Sequence, residues 1–329
     1  MSDERARVAL LDAIFATDVV DPGLALGIGD DCAALTSIEG ALVVSVDVMV
    51  EGVHFRRAWL TLEDLGYRAT MGALSDLAAM GARPRGVLSS LALPASIDDD
   101  GLRAIAEGQA EACRVSGTRV IGGNLARAGE LSITTTVLGD TPRALRRDAA
   151  QVGDEIWIAG PLGLAGAGLA ALLAGLAEEE GVLGPALAAW RRPQARIAEG
   201  RRVAAIAHAA IDVSDGLALD LHRLAEASGV GMRLEGEALR TAPLVAASRR
   251  LADGADEVAV RAKARAFALH GGEDYALVVT VPDGAAPVAG FRRIGRCVAP
   301  SARPLVVAEG DEELTVEPRG WDHFSAAGA

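Results

Sequence analysis

Ala209-Ala210-Ile211-Asp212-Val213-Ser214-Asp215-Gly216-Leu217 decides how this chain folds, because an apolar strand ends there in a polar turn and gives way to a helix. Residues 209–213 are apolar except for Asp212, and Leu217, Leu221, Leu224 and Ala225 recur at helical spacing over 217–228. Strand, tight turn and helix in succession form the repeating unit of α/β architecture. Ser214 or Asp215 is a favoured N-cap. A cap needs one oxygen, however, and Asp212, Ser214 and Asp215 supply more than one. The alternative is a ligand site beside helix-start N–H groups, which attract phosphate.

The same association of acid and small residue recurs along the chain. Gly27-Ile28-Gly29-Asp30-Asp31, Ser45-Val46-Asp47, Ser75-Asp76 and Gly271-Gly272-Glu273-Asp274 all carry it. Carboxylates gathered in one cleft repel one another unless cations lie between them. Mg²⁺ takes oxygen ligands, usually a few carboxylates plus substrate phosphates. The pattern therefore points to a metal-dependent phosphate enzyme. Asp47 lies in a Val/Met run expected to be buried, so it should be paired, hydrogen-bonded or metal-bound. Gly29-Asp30-Asp31 is otherwise an Asp-rich turn, and His54 is otherwise a satisfied polar side chain beside Phe55. Gly122-Gly123-Asn124 reads as a turn closing a strand over 118–121, or as backbone opened to an anion. Arg143, Arg146 and Arg147 are either a solvated basic patch or include a guanidinium for phosphate. Gly27-x-Gly29 lacks the strand, helix and third glycine of a dinucleotide fingerprint. Lys263 is the only lysine and follows no glycine-rich loop, which excludes a P-loop.

Composition narrows the classes further. A net charge of −13 with 3% aromatic residues argues against a nucleic-acid binder. It also requires local cations wherever phosphate is handled. Cys32, Cys113 and Cys297 are far apart and form no CxxC pair, so they read as buried thiols in a reducing compartment. The opening Met1-Ser2-Asp3-Glu4-Arg5 has no basic segment leading into an apolar stretch, so no secretory signal and a cytoplasmic location are expected. Residues 156–177 carry no charge but are broken by Pro161 and several glycines, and read as a buried strand, a turn and an Ala/Leu helix, not a membrane span. The remaining periodicity predicts helices over 4–16, 61–80 and 101–116, with Asp98-Asp99-Asp100 as a solvent-facing helix start. It predicts strands over 42–50, 86–94, 131–138, 155–159 and 275–281, and short strands near the end. A break at Thr141-Pro142 divides the chain into domains 1–142 and 143–329.

Taken in order, the motifs resemble those of the thiamine-monophosphate kinases, of the superfamily of aminoimidazole-ribonucleotide synthetase and selenophosphate synthetase. The resemblance rests on Gly-Ile-Gly-Asp-Asp-Cys-Ala (27–33), Val-Glu-Gly-Val-His-Phe (50–55) and Leu-Ser-Asp-Leu-Ala-Ala-Met-Gly-Ala (74–82). It continues through Ile-Asp-Val-Ser-Asp-Gly-Leu (211–217), Gly-Gly-Glu-Asp-Tyr (271–275) and Gly-Trp-Asp-His-Phe (320–324). It implies a two-domain α/β (α+β) fold, whose N-terminal mixed sheet forms a dimeric barrel across a two-fold and whose C-terminal α/β domain completes the site. It implies Mg²⁺ ligands at Asp30, Ser45, Val46 (through its backbone), Asp47, Asp76, Asp212 and Asp215, with Asn124 standing at a further ligand position. It implies ATP contacts at Gly123, Asn124, Arg147 and Ser214, and acceptor contacts at His54, Glu273 and Trp321. Arg147, Asp212 and Asp215 would carry the chemistry. Three positions depart from the family pattern: Asn124 stands where Asp is common, Val46 where Thr is common, and Ala73 where a side-chain amide is common.

The implied activity is ATP- and Mg²⁺-dependent phosphorylation of thiamine monophosphate to thiamine diphosphate by in-line transfer, in a homodimer with no nucleic-acid or membrane partner. The competing readings are another synthetase of the superfamily and a nucleotide-binding protein without turnover. The usual reactive residue of selenophosphate synthetases has no counterpart before Gly27.

Overall fold

The computed structural model describes residues 3–16, 23–28, 32–176 and 181–321. Asp30, and the 322–324 part of the terminal motif, lie outside the described residues. The chain divides into two compact units, Met1–Leu77 with Ala82–Ala144, and Ala78–Gly81 with Leu145–Ala329.

The first unit contains α1 (Glu4–Phe15), β1 (Leu24–Leu26), β2 (Ala34–Leu35), β3 (Ala41–Val50), α2 (Leu62–Ala79), β4 (Arg83–Leu93), α3 (Asp99–Val115), β5 (Val120–Arg127) and β6 (Ser132–Thr141). Its main sheet runs β3-β6-β4-β5, with β4 and β5 parallel and the other neighbours antiparallel. The predicted mixed sheet is therefore present. One face buries Val87, Leu91, Ile133 and Val137 together with Leu65, Leu74 and Leu77 of α2 and Leu102 and Ile105 of α3. On β3, Leu42, Val44, Val46 and Val48 are 45–60% exposed. The expectation that Asp47 lies in a buried run is thus overturned: Asp47 is exposed. The run is not buried because β3 is an edge strand, paired only with β6, and the alternating valines, on the face opposite Asp47, line a surface left uncovered within this chain.

The strand over 118–121 also differs from expectation. It runs on as β5 to Arg127, so Gly122, Gly123 and Asn124 lie inside a strand and not in a turn. At Gly123 the parallel neighbour comes so close that a Cβ would sit 1.8 Å from the carbonyl oxygen of Ser89. Only glycine admits that approach. Asp98 caps α3 by accepting from the Gly101 N–H at 2.9 Å, as its sequence suggests.

The second unit contains β7 (Glu155–Ala159), α4 (Leu164–Leu173), α5 (Gly184–Arg191), α6 (Ile197–Val203), β8 (Ala209–Val213), α7 (Leu217–Ser228), β9 (Gly231–Glu235), α8 (Gly236–Leu239), α9 (Ala242–Leu251), α10 (Glu257–His270), β10 (Ala276–Val281), β11 (Phe291–Val298), β12 (Leu305–Glu309) and β13 (Glu312–Thr315). Among the described residues its sheet runs β13-β12-β9-β11-β7-β10-β8, antiparallel except for β12 with β9. Every residue of β8 and β10 is buried. One core cluster gathers Trp157, Val203, Ala207, Ala210, Leu277 and Val279, with Ala79 and Leu145. The uncharged stretch resolves into β7 and α4, and no described helix is long and apolar enough to cross a membrane. Cys113 and Cys297 are buried free thiols, while Cys32 is exposed, against the reading that made all three buried.

Candidate active site

In the first unit, strand alternation sets Ser45 and Asp47 on the same face of β3. The register aligns Asp47 with Thr135, Thr135 with Ser89, and Ser89 with Gly123, so these four positions form one row across the sheet. Ser45 Oγ donates a short hydrogen bond to Asp76 Oδ2 of α2, bringing two sequence-predicted ligands together. Ser89 is held by Gln109, whose Nε2 donates to Oγ at 2.9 Å. Thr135 is 1% exposed, and among the described residues its Oγ1 has no hydrogen-bond partner. Asn124 falls in the next row, with Ser90, Thr134 and Val48, on the opposite face from Ser45 and Asp47. Val46 shares that opposite face, so it could reach the Asp47 side only through its backbone.

His54 follows β3 in a tight turn, its N–H donating to the Val50 carbonyl at 3.0 Å. The Val50 N–H donates in return to His54 Nδ1 at 3.1 Å. Nδ1 is therefore the acceptor, and the neutral ring carries its proton on Nε2.

In the second unit, β8 delivers Asp212, which is 4% exposed, to the polar turn before α7. Gly216 takes φ +123° at the helix start. Two N–H groups of the turn are already taken, because Asp220 Oδ2 accepts from both Ser214 and Asp215 at 3.2 Å. Arg223 Nη1 bridges Asp215 Oδ2 at 2.6 Å and Asp220 Oδ1 at 2.9 Å. Burial pushes the Asp220 carboxyl up to about 6, with the charge of Asp215 adding to the rise and Arg223 opposing it. Asp220 and Arg223 were not foreseen, although a three-residue helical spacing of opposite charges is a legible signal.

The 271–275 loop lies against this turn. Glu273 N–H donates to the Ser214 carbonyl at 2.7 Å, and Tyr275 N–H to Val213 at 2.9 Å. From the C-terminal side, Trp321 N–H donates to the Asp215 carbonyl at 3.0 Å. Ser214, Asp215, Glu273 and Trp321 are thus drawn together by main-chain bonds. Asp274 points away from them, and its carboxylate accepts from Gly163 and Ala165 N–H at the start of α4. Burial drives it up to about 7 against the pull of those amides. Arg147 is exposed, and its carbonyl accepts from Ser228 Oγ at 2.7 Å. Arg146 is paired with Asp148.

Among the described residues no three His, Cys, Asp or Glu side chains converge into a metal-holding group. The donors that do gather in the first unit are all oxygens: Asp76, the Ser45 hydroxyl, Asp47 along the same strand face, and the unpartnered Thr135 hydroxyl in its row. That chemistry fits a hard cation and not a soft one.

The family described as AIR synthase related protein, N-terminal domain, matches residues 29–141, and its C-terminal domain matches residues 151–286. The chain therefore belongs to the AIR synthase related proteins. Proteins named thiamine-monophosphate kinase from Salmonella typhimurium, Aquifex aeolicus and Bacillus subtilis are 38%, 33% and 31% identical to it. They cover 91%, 90% and 96% of this chain, which spans 92%, 92% and 98% of them. Within the larger family, the chain is thus a member of the thiamine-monophosphate kinases. The thiamine-monophosphate kinase structure from Stenotrophomonas maltophilia superposes with a TM-score of 0.79 at 33% identity, covering 91% of this chain and 95% of its own. AaThiL complexed with AMPPCP and TMP gives 0.77 at 30% identity, over 98% and 97%. The Escherichia coli hydrogenase maturation protein HypE, at 21% identity and a TM-score of 0.75 over 98% and 99%, shares the fold.

Proposed function

We propose that this protein transfers the γ-phosphoryl group of ATP to the phosphate of thiamine monophosphate, giving thiamine diphosphate, by in-line displacement. The observation that carries the reading is the convergence of Glu273 and Trp321 on the Ser214–Asp215 turn. A carboxylate and an indole together suit a cationic heterocycle such as thiazolium, which an aromatic face and a negative charge both attract. The acceptor oxygen is already anionic near neutral pH, so no strong general base is needed, and the difficulty is bringing two polyanions together.

In this reading the N-terminal domain, residues 1–142, binds metal and ATP phosphate, and Ser45, Asp47 and Asp76, with Asp30, hold Mg²⁺. When bound, the ion supplies positive charge that offsets the repulsion between the phosphates. Ser45 orients the Asp76 carboxylate through its hydroxyl bond. Asn124 lies on the opposite face of the sheet from Ser45 and Asp47, and in this reading it is kept as an ATP contact. The C-terminal domain, residues 143–329, contributes Asp212 and Asp215 as further ligands, Ser214 and Arg147 toward phosphate, and Glu273 and Trp321 toward the acceptor. His54 Nε2–H is a donor for the acceptor phosphate. We further propose a cytoplasmic homodimer. A ten-residue edge strand with valines 45–60% exposed along one face is the surface a second copy would cover.

The test is an assay with ATP, Mg²⁺ and thiamine monophosphate, following ADP and separating products by chromatography. ADP and thiamine diphosphate should form in equal amounts, and EDTA should abolish both. ATP binding without product would refute the proposal.

A further inference from the structure

The loop that carries Glu273 is clamped from two directions within the second unit. Toward β8, the N–H groups of Glu273 and Tyr275 bond to the Ser214 and Val213 carbonyls at 2.7 and 2.9 Å. Both residues adopt left-handed backbone, with φ +56° at Glu273 and +47° at Tyr275. Non-glycine residues hold such conformations only where their surroundings over-determine them. Toward the helices, Asp274 is anchored on the first turn of α4, and Trp190 at the end of α5 donates Nε1–H to Glu273 Oε2 at 2.8 Å. Trp190 is fully enclosed, and its Cβ lies beside Gly168 of α4, so the indole is fixed by packing.

A buried indole N–H needs an acceptor. Filling the space under α5 needs only an apolar ring. The pairing of this donor with a carboxylate 83 positions away, on a strained loop at the acceptor site, asks for a further reason. We infer that Trp190 is a positioning residue that fixes the orientation in which the Glu273 carboxylate meets the cationic acceptor. This rests on the proposed reading of Glu273 as an acceptor contact. The indole holds one carboxylate oxygen, and so constrains how the carboxylate presents its charge to the acceptor. ATP, bound through phosphate and metal, should be indifferent to it.

Trp190→Phe keeps an aromatic ring, smaller than the indole, and removes the N–H. The expected result is a rise in KM for thiamine monophosphate of about five- to twentyfold, from loss of a hydrogen bond to a charged group. The kcat and the KM for ATP should stay within about twofold of wild type. Glu273→Gln retains an oxygen for the indole and loses the charge, and should raise the same KM. Because both changes act on one contact, Trp190→Phe added to Glu273→Gln should worsen KM by no more than about twofold. All assays run well below the melting midpoints of the variants. A lowered kcat, parallel rises in both KM values, or full multiplication of the two effects would mean a structural role and overturn the inference. Wild-type protein that makes no thiamine diphosphate would instead refute the functional reading itself, taking this inference with it before any variant is compared.

Discussion

Replacing Gly123 with alanine separates two reasons for finding glycine in β5. The family resemblance gives it to ATP phosphate, whereas the structure supplies a packing reason that needs no ligand. A Cβ at 123 would lie 1.8 Å from the Ser89 carbonyl oxygen, 2.7 Å from its carbon and 3.0 Å from its nitrogen. All three are backbone atoms of β4, so no rotamer change relieves the clash. β5 would have to retreat by more than an ångström from a neighbour that ordinarily sits about 4.8 Å away, opening the ladder on both sides. Overpacking of that kind, with ladder bonds lost, should cost about 3 kcal/mol or more. In a unit of this size the melting midpoint should fall by about 10 °C. Gly122→Ala is the control: its Cβ would meet only the end of the Leu88 side chain, at 3.1 Å. It should change stability by less than about 0.5 kcal/mol. Thermal unfolding followed by circular dichroism, run beside the ADP assay, reads both effects. A Gly123→Ala protein melting within about 2 °C of wild type yet unable to turn over would refute the packing argument.

Asp140 is 2% exposed and accepts from Arg83 Nε and Nη2 at 3.1 Å, from Arg85 Nη1, and from the Glu39 amide at 3.0 Å. Asp140→Asn would leave the buried Arg85 guanidinium under-compensated, at a cost of about 3–5 kcal/mol readable in urea unfolding at neutral pH. Although burial works the other way, those hydrogen bonds hold the Asp140 carboxyl down to about 2. Its stabilisation should therefore be complete above its ordinary value of 3.8 and vanish only as pH falls through about 2. Asp274 has the opposite sign. Its carboxyl is raised from 3.8 to about 7, so between those values the folded state binds the extra proton. Its contribution to stability should thus fall as pH rises across that window and level off above it. Asp274→Asn should flatten that slope in chemical denaturation between about pH 4.5 and 8, and an unchanged slope would refute the assignment. Val44→Lys, on the uncovered face of β3, should convert the proposed dimer to monomer by light scattering. A wild-type monomer at micromolar concentration would remove the dimer altogether.

The strand–turn–helix at 209–228 was legible because an apolar run, a polar turn and a 3.6-residue period follow one another without interruption. The N-terminal helices and the strand carrying Asp47 were legible for the same reason. Gly122-Gly123 was misread because paired glycines ordinarily end a strand. What permits them here is the approach of β4, which is not local in sequence. The run around Asp47 was misjudged because a valine-rich stretch implies two covered faces, and the open valine face of β3 follows from sheet order. β11 was missed because its arginines and a bulge between Arg293 and Gly295 break the alternation that marks a strand. At the site, residue types could be read but partners could not: Trp190 meets Glu273 across 83 positions, and Gly163 meets Asp274 across 111.

Those partners change what the net charge of −13 means for phosphate chemistry. Read from the sequence, every carboxylate near a strand tip counts as repulsion toward a polyanion, to be relieved by metal. In the folded chain several are already answered. Asp140 is held by two arginines, Asp274 by the first amides of α4, and Asp220 by two turn amides and Arg223. Asp154 accepts from the Gln151 amide at 2.8 Å and faces His208 Nδ1 at 3.0 Å. These groups serve the scaffold and do not call for cations. Asp76 takes a neutral donor, the Ser45 hydroxyl. Asp215 is intermediate, its charge shared with Arg223. The carboxylates left for the proposed metal sites are therefore fewer than the net charge suggests, and the Thr135 hydroxyl, buried without a partner among the described residues, adds an oxygen in the row of Asp47.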